Sequence, residues 1–235
     1  MKCAIMQPYF LPYIGYFQLI QAVDVFVVYD DIEFTKRGWI HRNRLLLNEK
    51  VSPFSINLEK ASDYLMVRDR KISEEFSKTR KKLLSKIEQS YKKAPYFDET
   101  YPLVKECFLS DCRNLFDFIF HSIVTMCSHL NIETKIVISS HLKTEGELLR
   151  HKYRVWDLCS KVDCDSYINS EGGRKLYDKS EFEKQGMCLS FLQTTLEAYP
   201  QFGGGEFEPA LSIVDILMMK GREAVIRDLN KYFLD

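Results

Sequence analysis

Apolar residues gather in short runs at both ends of the chain and in longer, helically spaced stretches in its middle. Ala4–Met6 and Val25–Tyr29 are apolar and compact, so both read as buried strands. Between them, Tyr16, Leu19, Ile20 and Val23 recur at helical spacing, which predicts a helix over Gly15–Ala22 and a βαβ unit. Phe54–Leu58 and Met66–Ile72 read as further strands. Ser73–Lys93 is amphipathic with a heavily charged face and stops at Ala94-Pro95. Tyr101–Ser110 and Asn114–Leu130 follow as helices, the second strongly apolar.

The pattern then returns to alternation. Thr134–Ile138 predicts a strand, Leu148–Val162 a helix, and Ser166–Ile168 a short strand running into Asn169-Ser170-Glu171-Gly172-Gly173. Phe182–Gln185 predicts a helical turn and Cys188–Leu192 a strand. The three glycines within Tyr199–Pro209 predict a mobile loop. Ser212–Gly221 and Arg222–Leu229 form the last helical segment. Strand–helix alternation at both ends predicts an α/β fold with a mostly parallel sheet. It is read as a single domain over 1–235 with a helical insertion around 73–130.

Composition narrows the function. Hydrophobic residues make up 46 % of the 235 residues, enough for a sizeable core. Thirty-three basic residues balance thirty-three acidic ones. That neutrality argues against nucleic acid or a membrane surface as a general partner. No apolar run is long enough for a membrane span. Seven cysteines are scattered without a CxxC pair, which argues against a zinc site or a disulfide framework and places the chain in a reducing cytoplasm.

The candidate chemistry sits at 4–43. Gln7 ends the first strand, where open α/β sheets bind ligands. Pro8, Pro12 and Gly15 shape the next turn, and Gly15 at a helix start would admit a phosphate to backbone N–H groups. Tyr9 belongs to an aromatic cluster that is core or pocket wall. Asp30 and Asp31 are candidates for a general base or a Mg²⁺ ligand, with a salt bridge to Arg37 or Arg42 as the structural alternative. Alternation would send the two carboxylates to opposite sides. Lys36, Arg37, Arg42 and Arg44 could bind a diphosphate or carboxylate, and Lys36 and Arg42 are the candidates taken forward. Trp39 offers a flat face to a sugar or base, Asn43 an orienting amide, and His41 an imidazole that titrates near neutrality. At the other end, Asn169, Gly172 and Gly173 form a candidate ligand loop, completed by Tyr177 and Asp178. Ser212 reads as a helix N-cap, and Asp215 as a possible holder of a site arginine. Ser139-Ser140, near His141 and Lys143, is a weak phosphate-loop candidate. His121, His129, His141 and His151 lack ligand spacing and read as structural or exposed.

Four blocks occur in fixed order: QPYFLPYIGYFQLI, YDDIEFTKRGWIHRNR, YINSEGGRKLYD and FEPALSIVDILM. Together they closely resemble the WbqC-like family over nearly the whole chain. The resemblance implies a role in bacterial O-antigen or other surface-polysaccharide biosynthesis. It implies a transferase or ligase that forms an amide on an amino sugar, free or as a nucleotide-sugar. It also implies Asn at position 41, where this chain has His41, so an indispensable imidazole base is not part of the family pattern. The first strand–turn–helix further resembles the HxGH turn of nucleotidyltransferases (HUP/Rossmann-like), with Tyr13-Ile14-Gly15-Tyr16 in place of the motif. That resemblance implies ATP and Mg²⁺ as cofactors of an adenylate-forming alternative. A non-catalytic nucleotide-sugar-binding protein is the third reading.

Overall fold

The computed structural model describes residues 1–142, 152–203 and 205–235. Its main sheet has six strands: β1 (Lys2–Met6), β2 (Val25–Val28), β5 (Lys135–Ile138), β6 (Ser166–Ser170), β7 (Cys188–Thr194) and β8 (Tyr232–Leu234). They run in the order β5-β2-β1-β6-β7-β8. Every neighbouring pair is parallel except the last, in which β8 runs antiparallel to β7. The chain leaves β1 for β2 on one side and later enters β6 on the other. The strand order therefore reverses between β1 and β6, and a crevice opens outside their carboxyl ends.

Side chains alternate across this sheet as the pleat demands. Ala4, Phe26, Val28 and Ile168 face the larger core. Cys3, Ile5, Val25, Val27, Tyr167, Leu189 and Phe191 face the smaller one. Helices cover both faces, which is why β2 throughout and β1 from Cys3 to Met6 are apolar rather than alternating. The larger core takes α1 (Ile14–Gln21), α2 (Phe76–Tyr91), α3 (Phe97–Leu109), α4 (Leu115–His129), α7 (Ile213–Lys220) and α8 (Arg222–Asp228). The smaller takes α5 (Lys152–Lys161) and α6 (Lys179–Glu183). The three helices of the central stretch share the sheet's own core. Among the described residues, no helix is long and apolar enough to cross a membrane.

Several expectations need correction. Of the strand expected at Phe54–Leu58 only Phe54 and Ser55 lie in β4 (Lys50–Ser55), the second arm of a hairpin whose first arm, β3 (Arg42–Leu47), was not anticipated. RNRLLL does not alternate, and Pro53 argues against a strand. The hairpin forms because Asn48 and Glu49 both take positive φ, the backbone that a two-residue reverse turn requires. Met66–Ile72 is not a strand but a single 3₁₀ turn, Val67–Asp69, flanked by isolated bridges. The helix expected from Tyr101 starts one turn earlier at Phe97, with Asp98 and Glu99 favourably placed at its positive end. The described part of the helix expected over Leu148–Val162 is α5; its first residues, with Lys143 and His151, lie outside the described residues.

Candidate functional site

A pocket of about 140 Å³ opens where β1 and β6 part. It is lined by Met6, Gln7, Tyr9, Tyr13, Gly15, Tyr16, Leu19, Trp39 and Ser170. Gln7 follows the last residue of β1, and Ser170 ends β6. Segments more than 150 residues apart in sequence thus meet at the carboxyl edge of the sheet.

Four of the nine lining residues are aromatic, and the rings of Tyr9, Tyr16 and Trp39 have fixed supports. Tyr9 packs edge-on against Tyr16 with centroids 6.3 Å apart and tilts against Trp39 at the same distance. The Tyr9 hydroxyl donates to Asn43 Oδ1 at 3.1 Å, and the Tyr16 hydroxyl donates to the Gln7 carbonyl at 3.1 Å. Tyr13 lies over the first turn of α1, where Gly15 makes room. A Cβ on Gly15 would fall 2.3 Å from Tyr13 Cε2 and 2.6 Å from Thr194 Oγ1. Gly15 is therefore a requirement of close packing at the helix start, not of backbone freedom. Four polar groups stay available in this pocket. The Gln7 amide, the Tyr13 and Ser170 hydroxyls and the Trp39 indole N–H make no hydrogen bond to another described residue.

The remaining candidates of the first segment serve the pocket's frame. Asn43 is fully buried, with Nδ2 donating to the carbonyls of Phe10 at 3.2 Å and Leu11 at 2.6 Å. Its Oδ1 accepts from Tyr9 and from the Arg44 N–H at 2.8 Å. Asn43 therefore pins the 9–11 turn, where Leu11 takes a positive φ. Arg42 donates through Nε to the Gly38 carbonyl at 2.8 Å and through Nη2 to the Arg37 carbonyl, and its guanidinium lies 5.2 Å over Trp39. It closes the 37–41 turn and fixes the indole. Lys36 pairs at 2.6 Å with Asp63, both well exposed. Arg44 pairs with Glu208 at 2.7 Å.

His41 sits beside Phe34, with centroids 5.0 Å apart, and its buried Nδ1 has no hydrogen-bond partner among the described residues. Burial, reinforced by the charges of Arg42 and Arg70, pushes its pKa down to about 4. The imidazole is therefore neutral at physiological pH.

Asp30 and Asp31 do not pair with Arg37 or Arg42. Both lie past the end of β2, after Tyr29 and beyond the reach of strand alternation, and both turn toward Ser139 at the end of β5. Asp30 accepts from Ser139 Oγ at 2.8 Å, the Ser140 N–H at 2.9 Å and Ser140 Oγ at 2.7 Å. Asp31 meets the same Ser139 hydroxyl and an ion pair from Arg154, whose side chain is almost wholly buried. Ser139 and Ser140 thus hold carboxylates, the opposite of a phosphate loop. Arg154 escaped the sequence reading. The available signal was an arginine on the apolar stripe of α5, four residues before Leu158.

On the far side of the crevice, Asn169 Nδ2 donates to the Tyr167 hydroxyl at 3.2 Å and its Oδ1 accepts from the Ser170 N–H at 2.7 Å. Gly173 leaves room for that amide, since a Cβ there would lie 2.6 Å from Nδ2. Gly172 is open to solvent, with only Ser170 Oγ near. Tyr177 packs edge-on against Tyr167 and Phe182 on the smaller core's side. Ser212 caps α7 as expected, accepting from the Val214 N–H. Asp215 holds no arginine. Fully buried, it accepts from Tyr91 at 2.6 Å, Tyr199 at 2.8 Å and Gln201 at 3.0 Å, and burial raises its pKa.

No solved structure matches this chain. A curated relative, the uncharacterized protein Rv1507c of Mycobacterium tuberculosis (strain ATCC 25618 / H37Rv), is 28 % identical over 228 residues, covering 95 % of each chain. The family model described as the WbqC-like protein family matches residues 7–227, a span that holds both edges of the crevice. The chain therefore belongs to the WbqC-like protein family.

Proposed function

We propose that the pocket between β1 and β6 binds an amino sugar, carried on a nucleotide, and that the protein forms an amide on its amino group during surface-polysaccharide synthesis in the cytoplasm. One observation supports this most: an uncharged, aromatic-walled pocket at the strand-order reversal keeps an amide, two hydroxyls and an indole N–H without partners among the described residues. A flat indole and neutral hydrogen-bonding groups suit a sugar ring, whose faces are apolar and whose edge is hydroxylated. The volume suits a sugar alone, so the nucleotide would lie along the crevice toward Gly172.

In this reading the sugar ammonium loses a proton and its nitrogen attacks the carbonyl of an activated acyl donor. The donor's leaving group departs and the amide forms. Asp30 and Asp31, at the end of the strand next to β1, are the proton acceptors assigned to this step. Trp39 and Tyr9 hold the ring, Gln7 and Ser170 its hydroxyls, and Arg42 and Asn43 position Trp39 and Tyr9.

Nucleotide-sugars bearing free amines would be screened by thermal stabilisation, and hits tested for amide product by mass spectrometry with acyl thioesters or with ATP and carboxylic acids. A ligand at 100 times its dissociation constant adds about 2.7 kcal/mol. Stabilisation lost in Gln7→Ala and Trp39→Ala supports the reading; equal stabilisation of both variants overturns it. Binding without product would leave a nucleotide-sugar-binding protein.

A second reading, an ATP-using nucleotidyltransferase-like enzyme, is favoured by the strand order and by the start of α1 beside the pocket. The carboxylates fit Mg²⁺ poorly as placed, because Ser139, Ser140 and Arg154 already occupy them. Stabilisation by ATP alone, with pyrophosphate release, would favour it.

A further inference from the structure

Three cysteines far apart in sequence meet at the amino edge of the sheet. Cys3 lies in β1, Cys159 in α5, and Cys164 in the turn that leads into β6. All three are buried, and their sulfur atoms lie within 4.8 Å of one another, with Cys3 and Cys159 at 3.6 Å. They are free thiols. No fourth His, Cys, Asp or Glu joins the group among the described residues. The surrounding side chains are apolar or aromatic: Ile5, Val25, Val155, Leu158, Tyr167 and Leu189.

We infer that Cys3, Cys159 and Cys164 form a three-sulfur site for a soft monovalent metal ion, Cu(I). Thiolates select soft ions. Structural zinc is almost always four-coordinate, and this group offers three ligands in an apolar enclosure. Cys164 is the least deeply buried of the three, at 8 % exposed. Binding releases thiol protons to the buffer and changes no oxidation state. The site joins the end of α5 to β1 and β6. It lies a strand's length, about 13 Å, from the proposed sugar pocket and does not depend on that reading.

The test uses the full chain carrying Cys112→Ser and Cys188→Ser, which removes the exposed thiols. Buffered Cu(I) is titrated anaerobically against a chromophoric Cu(I) chelator, with Zn(II) in a parallel arm. We expect one equivalent of Cu(I), three sulfur neighbours by X-ray absorption, and a higher melting temperature. Adding Cys159→Ser should weaken binding at least 100-fold and remove the thermal shift. Should that variant lose its native circular dichroism, Cys164→Ser replaces it, and the sulfur count on the parent stands by itself. Unchanged affinity in a folded variant, two sulfur neighbours, tighter four-coordinate Zn(II) binding, or a Cys3–Cys159 disulfide that excludes metal would each overturn the proposal.

Discussion

At the scale of single residues, the structure separates groups that face the pocket from groups that hold it in shape. Trp39 is 44 % exposed, so its truncation removes little buried surface. Trp39→Ala should melt within a few degrees of the parent yet lose about tenfold or more in nucleotide-sugar affinity, about 1.4 kcal/mol, by calorimetric titration. Asn43 is the contrast. Asn43→Ala leaves the Phe10 carbonyl and the Tyr9 hydroxyl without the partner they now have, while the Leu11 carbonyl keeps Ser212 Oγ at 2.7 Å; each buried orphan costs about 1–3 kcal/mol. Denaturant unfolding should show a loss of at least 2 kcal/mol by that arithmetic. A loss under 0.5 kcal/mol would mean that water replaces the amide.

His41 carries a pH signature of its own. Its folded pKa, about 4, lies below the ordinary value of 6.5. Between those values the unfolded chain binds a proton that the folded chain does not, so stability falls as pH drops from about 6.5 toward 4. Above 6.5 both states are neutral and the contribution is flat. His41→Asn should remove that part of the acid sensitivity while retaining ligand binding at pH 7. Unfolding measured at pH 5 and pH 7 on both proteins checks it; identical slopes would place the imidazole in contact with water.

At the scale of elements, the start of α1 packs against the end of β7 with no spare volume at Gly15. Gly15→Ala puts a methyl group into the Tyr13 ring and Thr194. It should lower the melting temperature and abolish pocket binding together, because the ring must swing into the pocket. Gly172→Ala meets only open space beyond Ser170 and should do neither. Binding and stability that separate in Gly15→Ala would show that Tyr13 can move without closing the site.

At the scale of the whole molecule, the Arg154–Asp31 pair links α5 on one face of the sheet to the end of β2. Breaking a buried pair leaves an uncompensated charge and commonly costs about 3–5 kcal/mol. Arg154→Ala should approach that range in denaturant unfolding. Asp31→Asn, which keeps an acceptor for the guanidinium, should cost less. Were Asp31→Asn to abolish product formation with the fold intact, the proton acceptor would be Asp31 despite its ion pair.

The order of strands and helices was legible in the sequence because it follows from local periodicity. β1, β2 and β5–β7 are short apolar runs, and α2, α4 and α7 carry unbroken stripes, so each declares itself within a few residues. Gln7, Gly15 and Trp39 were legible as site candidates because they sit at a strand end and in its following turns. What the sequence could not decide was pairing. β3 lacks alternation and β8 is three residues long, so both depend on partners distant in the chain. The partners of Asp30 and Asp31 lie over 100 residues away and arrive only when β5 and α5 dock on the sheet. The three buried cysteines look unrelated at positions 3, 159 and 164 and meet only because β1 and β6 are neighbours. Local pattern is set by one stretch of chain and its solvent; a site is set by which stretches share a sheet edge, and only the folded topology fixes that.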